Sequence, residues 1–133
     1  MERRVVITGV GMVSPLGVGN GENWQALLQG RSGIGPITRF DASDYPCRIA
    51  GEVKGFNPED WISKKDVKKM DLFIHYAMAA AEIAMKDAVF EVKPSEADRV
   101  GVYIGSGIGG LPSIERQHAI LLMIPDTLDL LTI

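Results

Sequence analysis

The chain has 133 residues, 46% of them hydrophobic and 23% charged, with a formal net charge of −3. That length supports one domain, the apolar share excludes a disordered chain, and the negative balance leaves no global basic field for nucleic acid. A single cysteine, Cys47, excludes an intramolecular disulfide and suits a reducing compartment.

Glu2-Arg3-Arg4 before an apolar run has the outline of a secretory signal. Thr8, Gly9 and Gly11 interrupt that run, however, it ends at Ser14-Pro15, and no small-x-small cleavage site follows. Residues 4–9 instead predict a buried strand, a short β-branched run closed by glycine. Residues 9–17 are a glycine-punctuated turn. Asn20 or Gly21 can cap a short helix over residues 22–28, which places Trp24, Leu27 and Leu28 on one side and Gly30 just past its end. Residues 31–36 read as loop and residues 48–53 as a short strand. Cys47, between Pro46 and Arg48, has neither a helix start nor a histidine partner to activate it, so it reads as an inert thiol.

The longest element begins at Ser63. Ser63 with Asp66 three residues on resembles a capping box, and the helix is expected to run to about residue 88. Lys64, Lys65, Lys68 and Lys69 fall at i, i+1, i+4 and i+5, one cationic stripe at the helix start. The free N–H groups of that end favour anions, so each lysine is locally unfavourable by roughly a few tenths of a kcal/mol. The same end would attract a phosphate or an acidic helix; the alternative is a solvated charged turn. From Met70 onward the helix is apolar on most sides, as suits a helix inside a larger protein, and its alanines would admit a neighbouring helix closely. His75 and Glu82 interrupt it, so it does not read as a membrane span. Residues 89–97 form a connection broken by Pro94. Residues 99–104 predict a second strand, glycines follow through Gly110, and Pro112 suits the first turn of a helix reaching about residue 122. Strands alternating with helices indicate an α/β layered fold.

Gly105, Gly107 and Gly110 satisfy G-x-G-x-x-G after a strand and before a helix, the outline of a dinucleotide site. Against it, about a hundred residues precede the motif, its acidic partner would have to be Asp126 or Asp129, and Pro112 moves the helix start beyond the glycines. Gly9-x-Gly11-x-x-Ser14 is poorer, because Pro15 stands where a helix should open. Glycines that permit tight turns are the simpler reading. His75 and His118 have no third ligand at metal spacing and pair with none of Ser14, Ser106 or Cys47, and Gly-x-Ser-x-Gly does not occur. By themselves these residues display no complete active site.

Taken together the motifs are far more specific. Arg3-Arg4-Val5-Val6-Ile7-Thr8-Gly9-Val10-Gly11-Met12-Val13-Ser14-Pro15-Leu16-Gly17 resembles the opening of β-ketoacyl-ACP synthases. So do Trp24-Gln25-Ala26-Leu27-Leu28-Gln29-Gly30-Arg31-Ser32-Gly33-Ile34, Arg39-Phe40-Asp41, Ile49-Ala50-Gly51-Glu52-Val53, Lys69-Met70-Asp71 and Gly105-Ser106-Gly107-Ile108-Gly109-Gly110. These blocks follow the family order at family-like spacing, and the elongating, type II subgroup is the best match. The resemblance implies a thiolase-like layered αβαβα fold of two similar βαβαβαββ halves. Residues 1–122 would supply only the N-terminal part of the first half. Residues 123–133 match nothing in it and form a divergent tail, as a frameshift, an internal deletion or an imposed chain end would leave.

The resemblance also implies a reaction, that of a 3-oxoacyl-ACP synthase II of fatty-acid biosynthesis. Malonyl-ACP loses CO₂ and condenses with an acyl group held as a thioester on a cysteine, while two histidines and an oxyanion site stabilise the enolate. It implies no cofactor or metal, a homodimer in the cytoplasm, acyl carrier protein and acyl or malonyl thioesters as partners, and neither nucleic acid nor membrane. Carried over by residue, Ile108 lines the acyl-chain pocket near the dimer interface. Lys65, Lys68 and Lys69, with Lys64 a weaker match, meet the acidic carrier protein through a local positive patch. The family's cysteine stands in a Thr-Ala-Cys context beyond residue 133, with its histidines further on; Cys47, His75 and His118 match none of them. The expectation is a chain without condensing activity on its own. A non-catalytic carrier-binding or dimer-forming module and a dinucleotide-binding piece are the alternatives.

Overall fold

The computed structural model describes residues 3–123. In chain order these give β1 (Val13–Ser14), β2 (Gly17–Val18), α1 (Asn20–Leu28), β3 (Ile34–Pro36), β4 (Ile49–Gly51), α2 (Lys64–Val67), α3 (Leu72–Asp87) and α4 (Leu111–Met123), with 3-10 turns at Pro58–Asp60 and Pro94–Arg99. The strands form two antiparallel pairs, β1 with β2 and β3 with β4, in which Val13 faces Val18 and Gly35 faces Ala50.

A buried asparagine organises the first unit. Asn23, on the inner side of α1, donates from Nδ2 to the carbonyls of Gly17 (2.9 Å) and Gly19 (2.7 Å) and accepts the Ser14 hydroxyl on Oδ1. Ser14 Oγ in turn accepts the Leu16 N–H at 3.1 Å. The hairpin thus satisfies its backbone through two side chains, which a buried turn must do. At the far end of α1, the Gly30 N–H bonds the Leu27 carbonyl and the Arg31 N–H bonds that of Ala26, with Gly30 at φ 62°. This is a Schellman cap, and the left-handed backbone is why glycine stands there.

The glycine segment ahead of β1 lies directly on α3. A Cβ at Gly9 would stand 2.5 Å from the Ala84 carbonyl oxygen, and one at Gly11 would collide with the Ala80 carbonyl. Ala80, Ala84 and Ala88 are spaced four apart, so they line one stripe of the helix. The alanines therefore admit a glycine backbone, where the sequence suggested a second helix. Val10 N–H donates to Asp87 Oδ2 at 2.9 Å, and Asn20 Nδ2 donates to the Val10 carbonyl at 2.8 Å, which fastens the segment to α3 and α1.

Several expectations are corrected. Residues 4–9 and 99–104 are not strands: the ladders among the described residues include neither, and their side chains lie open, Val5 at 92%, Ile7 at 85% and Tyr103 at 100% exposure. Their β-branched composition fits a strand, but a strand exists only with a neighbour to bond. Residues 34–36 are strand, not loop, because β4 lies alongside. The helix expected over 63–88 is two helices, broken at residues 68–71, where the backbone turns extended at Asp71 (φ −76°, ψ 158°) just before α3 begins. On α1, Trp24, Leu27 and Leu28 lie exposed and the helix buries Asn23 and Ala26. The expected tail falls mostly on residues 124–133, outside the described residues.

The apolar core among the described residues is small: Ala26, Ala42, Ile62 and Ala79 are its buried members. The chain exposes 11326 Å², against about 6,800 Å² for a compact monomer of this mass.

Candidate functional site

The lysine cluster sits on a corner built from three local devices. Asn57 accepts the Glu59 N–H and leads through the Pro58–Asp60 turn to the buried Ile62. Ser63 then caps α2, accepting the Asp66 N–H at 3.3 Å; Asp66 Oδ2 answers by accepting the Ser63 hydroxyl at 2.7 Å and not the Ser63 N–H, so half of the expected capping box forms. Finally His75, 94% buried on α3, bonds the Val67 carbonyl through Nε2 at 3.2 Å. With Nε2 as the donor, His75 adds a second bond to a carbonyl at the end of α2 that also accepts the Met70 N–H at 3.4 Å. His75 is therefore a packed, hydrogen-bonded histidine.

The four lysines are not equivalent. Lys69 pairs with Asp66 at 3.2 Å and Lys64 reaches Glu59 at 3.9 Å. Lys65 and Lys68 are exposed and form no ion pair among the described residues. Because α2 is only four residues long and α3 begins after the break, the stripe does not crown the long helix, and the macrodipole reasoning does not apply to it.

The same corner grips the glycine turn. Asp71 makes no cap to its own helix; its Oδ1 accepts the Ser113 hydroxyl of α4 at 2.9 Å, and its Oδ2 fills the space a Cβ would need at Gly110. Gly109, at φ 78°, lays its backbone on the Phe73 ring, 3.4 Å from a Cβ built there. Lys69 and Ile108 each lie two residues along the chain from a member of the Asp71–Gly110 contact. Ile108 itself is 74% exposed.

This contact also bears on the dinucleotide reading. A pyrophosphate would need the N–H groups at the start of α4, and the Asp71 carboxylate already stands there. Residues 99–104 give no strand before the glycines either. Cys47 is exposed, and its Sγ donates to the Ile49 carbonyl at 3.5 Å. Among the described residues no three of His, Cys, Asp and Glu gather as a metal site, and no helix is long and apolar enough to cross a membrane.

Sequence reasoning passed over Asp71, although an aspartate directly before an apolar helical run is a helix-start signal. It also missed the clamp at Glu52, whose carboxylate accepts the Thr38 hydroxyl (2.6 Å), the Thr38 N–H (3.0 Å) and the Arg39 N–H (3.3 Å). The Thr38 hydroxyl first, then these N–H groups, hold the Glu52 carboxyl below the usual range. The Ser43 N–H does the same for Asp41. The clamp joins Thr38 to Glu52 just beyond the β3–β4 pair, and Arg39 continues to the Tyr76 hydroxyl of α3 at 3.1 Å.

Compared with known proteins, residues 2–125 match the family described as beta-ketoacyl synthase, N-terminal domain. The 3-oxoacyl-(acyl-carrier-protein) synthase 2 of Coxiella burnetii is 52% identical over 121 residues, and that of Synechocystis is 49% identical over 121; each match covers 91% of this chain and 29% of the relative. The synthase of Staphylococcus aureus is 48% identical over 116 residues, 87% of this chain and 28% of its own. Among solved structures, the ishigamide ketosynthase/chain length factor superposes with a TM-score of 0.73 at 33% identity, over 97% of this chain and 32% of that one. The chain thus spans under a third of the length of the relatives it matches.

Proposed function

The chain belongs to the β-ketoacyl synthase family, and from that premise we propose that it supplies two parts of a fatty-acid-elongating 3-oxoacyl-(acyl-carrier-protein) synthase. One is the surface that receives the acyl carrier protein; the other is a wall of the acyl pocket. Lys65 and Lys68 are the principal carrier-binding residues, with Lys64 and Lys69 beside them, and Ile108 lines the pocket. Residues 1–122 form the synthase part and residues 123–133 the divergent tail; the whole protein acts in the cytoplasm as a homodimer. The single observation carrying this reading is that Lys65 and Lys68 stand exposed and, among the described residues, form no ion pair. Two such cations steer an acidic partner without any positive net charge on the chain.

In the whole reaction, the bond from the malonyl α-carbon to its carboxylate breaks and CO₂ leaves. The electron pair makes that carbon an enolate, which attacks the acyl thioester, and the thiolate departs. This chain's own sequence has no Thr-Ala-Cys, and Cys47 follows Pro46 on an exposed loop. Alone, then, it docks a carrier and does not condense. Incubation with malonyl-ACP and an acyl-ACP tests this: neither CO₂ release nor a 3-oxoacyl product is expected. Sustained turnover dependent on this chain would overturn the reading.

A further inference from the structure

The Asp71 contact assigns that residue a task beyond starting α3. A helix N-cap aspartate ordinarily accepts an N–H of its own first turn. Asp71 accepts none and turns its oxygens to the Ser113 hydroxyl, 42 residues away, and to Gly110. The arrangement is half-buried, and both of its ends sit at helix starts, so a negative charge there suits the free N–H groups of α4. Gly110 is the residue that lets the carboxylate in, and Gly109, in the left-handed region, is the one that lets the chain pass Phe73. The turn has no strand hydrogen bonds behind it to fix its course, since residues 99–104 lie outside both ladders.

We propose that Asp71 is a positioning residue, whose clasp on Ser113 sets the course of the 105–110 turn and hence where Ile108 points. Its relevance to substrate rests on the acyl-pocket reading of Ile108, but the clasp is tested without it. Amide hydrogen exchange on the full chain is the readout, followed at Leu111 and Ile114, whose N–H groups bond the Gly109 and Gly110 carbonyls of the turn, and, as an internal control, at Gly30 and Arg31 in the α1 cap. Asp71→Ala and Ser113→Ala are each expected to speed exchange at Leu111 and Ile114 by about tenfold, the weight of one hydrogen bond to a charged group. The double variant should go no further than either single one, because both remove one interaction. Asp71→Asn, which keeps an acceptor for Ser113, should restore most of the protection. Exchange at Gly30 and Arg31 should stay unchanged, which a general loss of stability would not allow. Unaltered exchange in both single variants, an additive double variant, or equal acceleration at the control amides would overturn the proposal. An intact clasp in a chain that binds no carrier would instead refute only the function proposed above.

Discussion

At Glu52 three donors converge on one exposed carboxylate, and their direction fixes the sign of its pH dependence. The carboxyl titrates below its ordinary value because the ionised form accepts these bonds. A folded value below the unfolded one stabilises the fold above the unfolded pKa, and that stabilisation is lost as pH falls through the folded value. Thr38→Val, which removes the largest contributor, should move the Glu52 midpoint up toward the ordinary glutamate range in an NMR titration. A midpoint that stays put would mean that Thr38 does not hold the charge. Lys65 and Lys68 present the opposite case, charges with no ion-pair partner among the described residues. Reversing either to glutamate should weaken carrier binding by about 1 kcal/mol at low ionic strength, with little effect at high salt. The same reversal at Lys69, already paired with Asp66, should cost less. Sequence alone could place the four lysines on one stretch but could not rank them. The ranking depends on Glu59, whose N–H Asn57 accepts, and on Asp66, held by the Ser63 cap.

The two long helices of the first ninety residues end in the same motif with different residues in the critical place. After α3, the Val89 N–H bonds Lys86 and the Phe90 N–H bonds Met85, as Gly30 and Arg31 do after α1. Val89 takes φ 49°, where a β-branched side chain is strained, and that side chain lies 91% exposed. Val89→Gly should therefore stabilise α3 by about 1 kcal/mol, read as slower amide exchange over its last turns. The glycine contact on the other side of α3 predicts the reverse. Gly11→Ala should loosen α3 by about 1–3 kcal/mol through collision with Ala80 and Ala84, whereas Gly21→Ala, in the open on α1, should be neutral or stabilising. Elements that close on themselves were legible in the sequence: α1 with its Gly30 stop, the Ser63 cap, α4 behind Gly110. Those that depend on distant residues were not. The bond between Asp71 and Ser113 joins residues 42 apart, β3 exists because of β4, and the strand-like runs at 4–9 and 99–104 lack neighbours that no local pattern can supply.

For the molecule as a whole, surface decides the behaviour. An exposed area well above that of a compact monomer, with Val5, Ile7, Val102 and Tyr103 open to water, is apolar surface awaiting cover. The chain alone should form oligomers or aggregate and bind hydrophobic dyes; a monodisperse monomer with a cooperative melt would contradict this. The family relationship was legible because its blocks are local strings in fixed order, and the comparisons bear it out. The route from the lysine corner through Asp71 to Ile108 was not, since it joins two of those blocks across α3 and α4. Titration of acyl carrier protein onto this chain at low and at high ionic strength tests the docking role most directly. Saturable binding that falls steeply with salt is expected. No binding, or binding indifferent to salt, would contradict it.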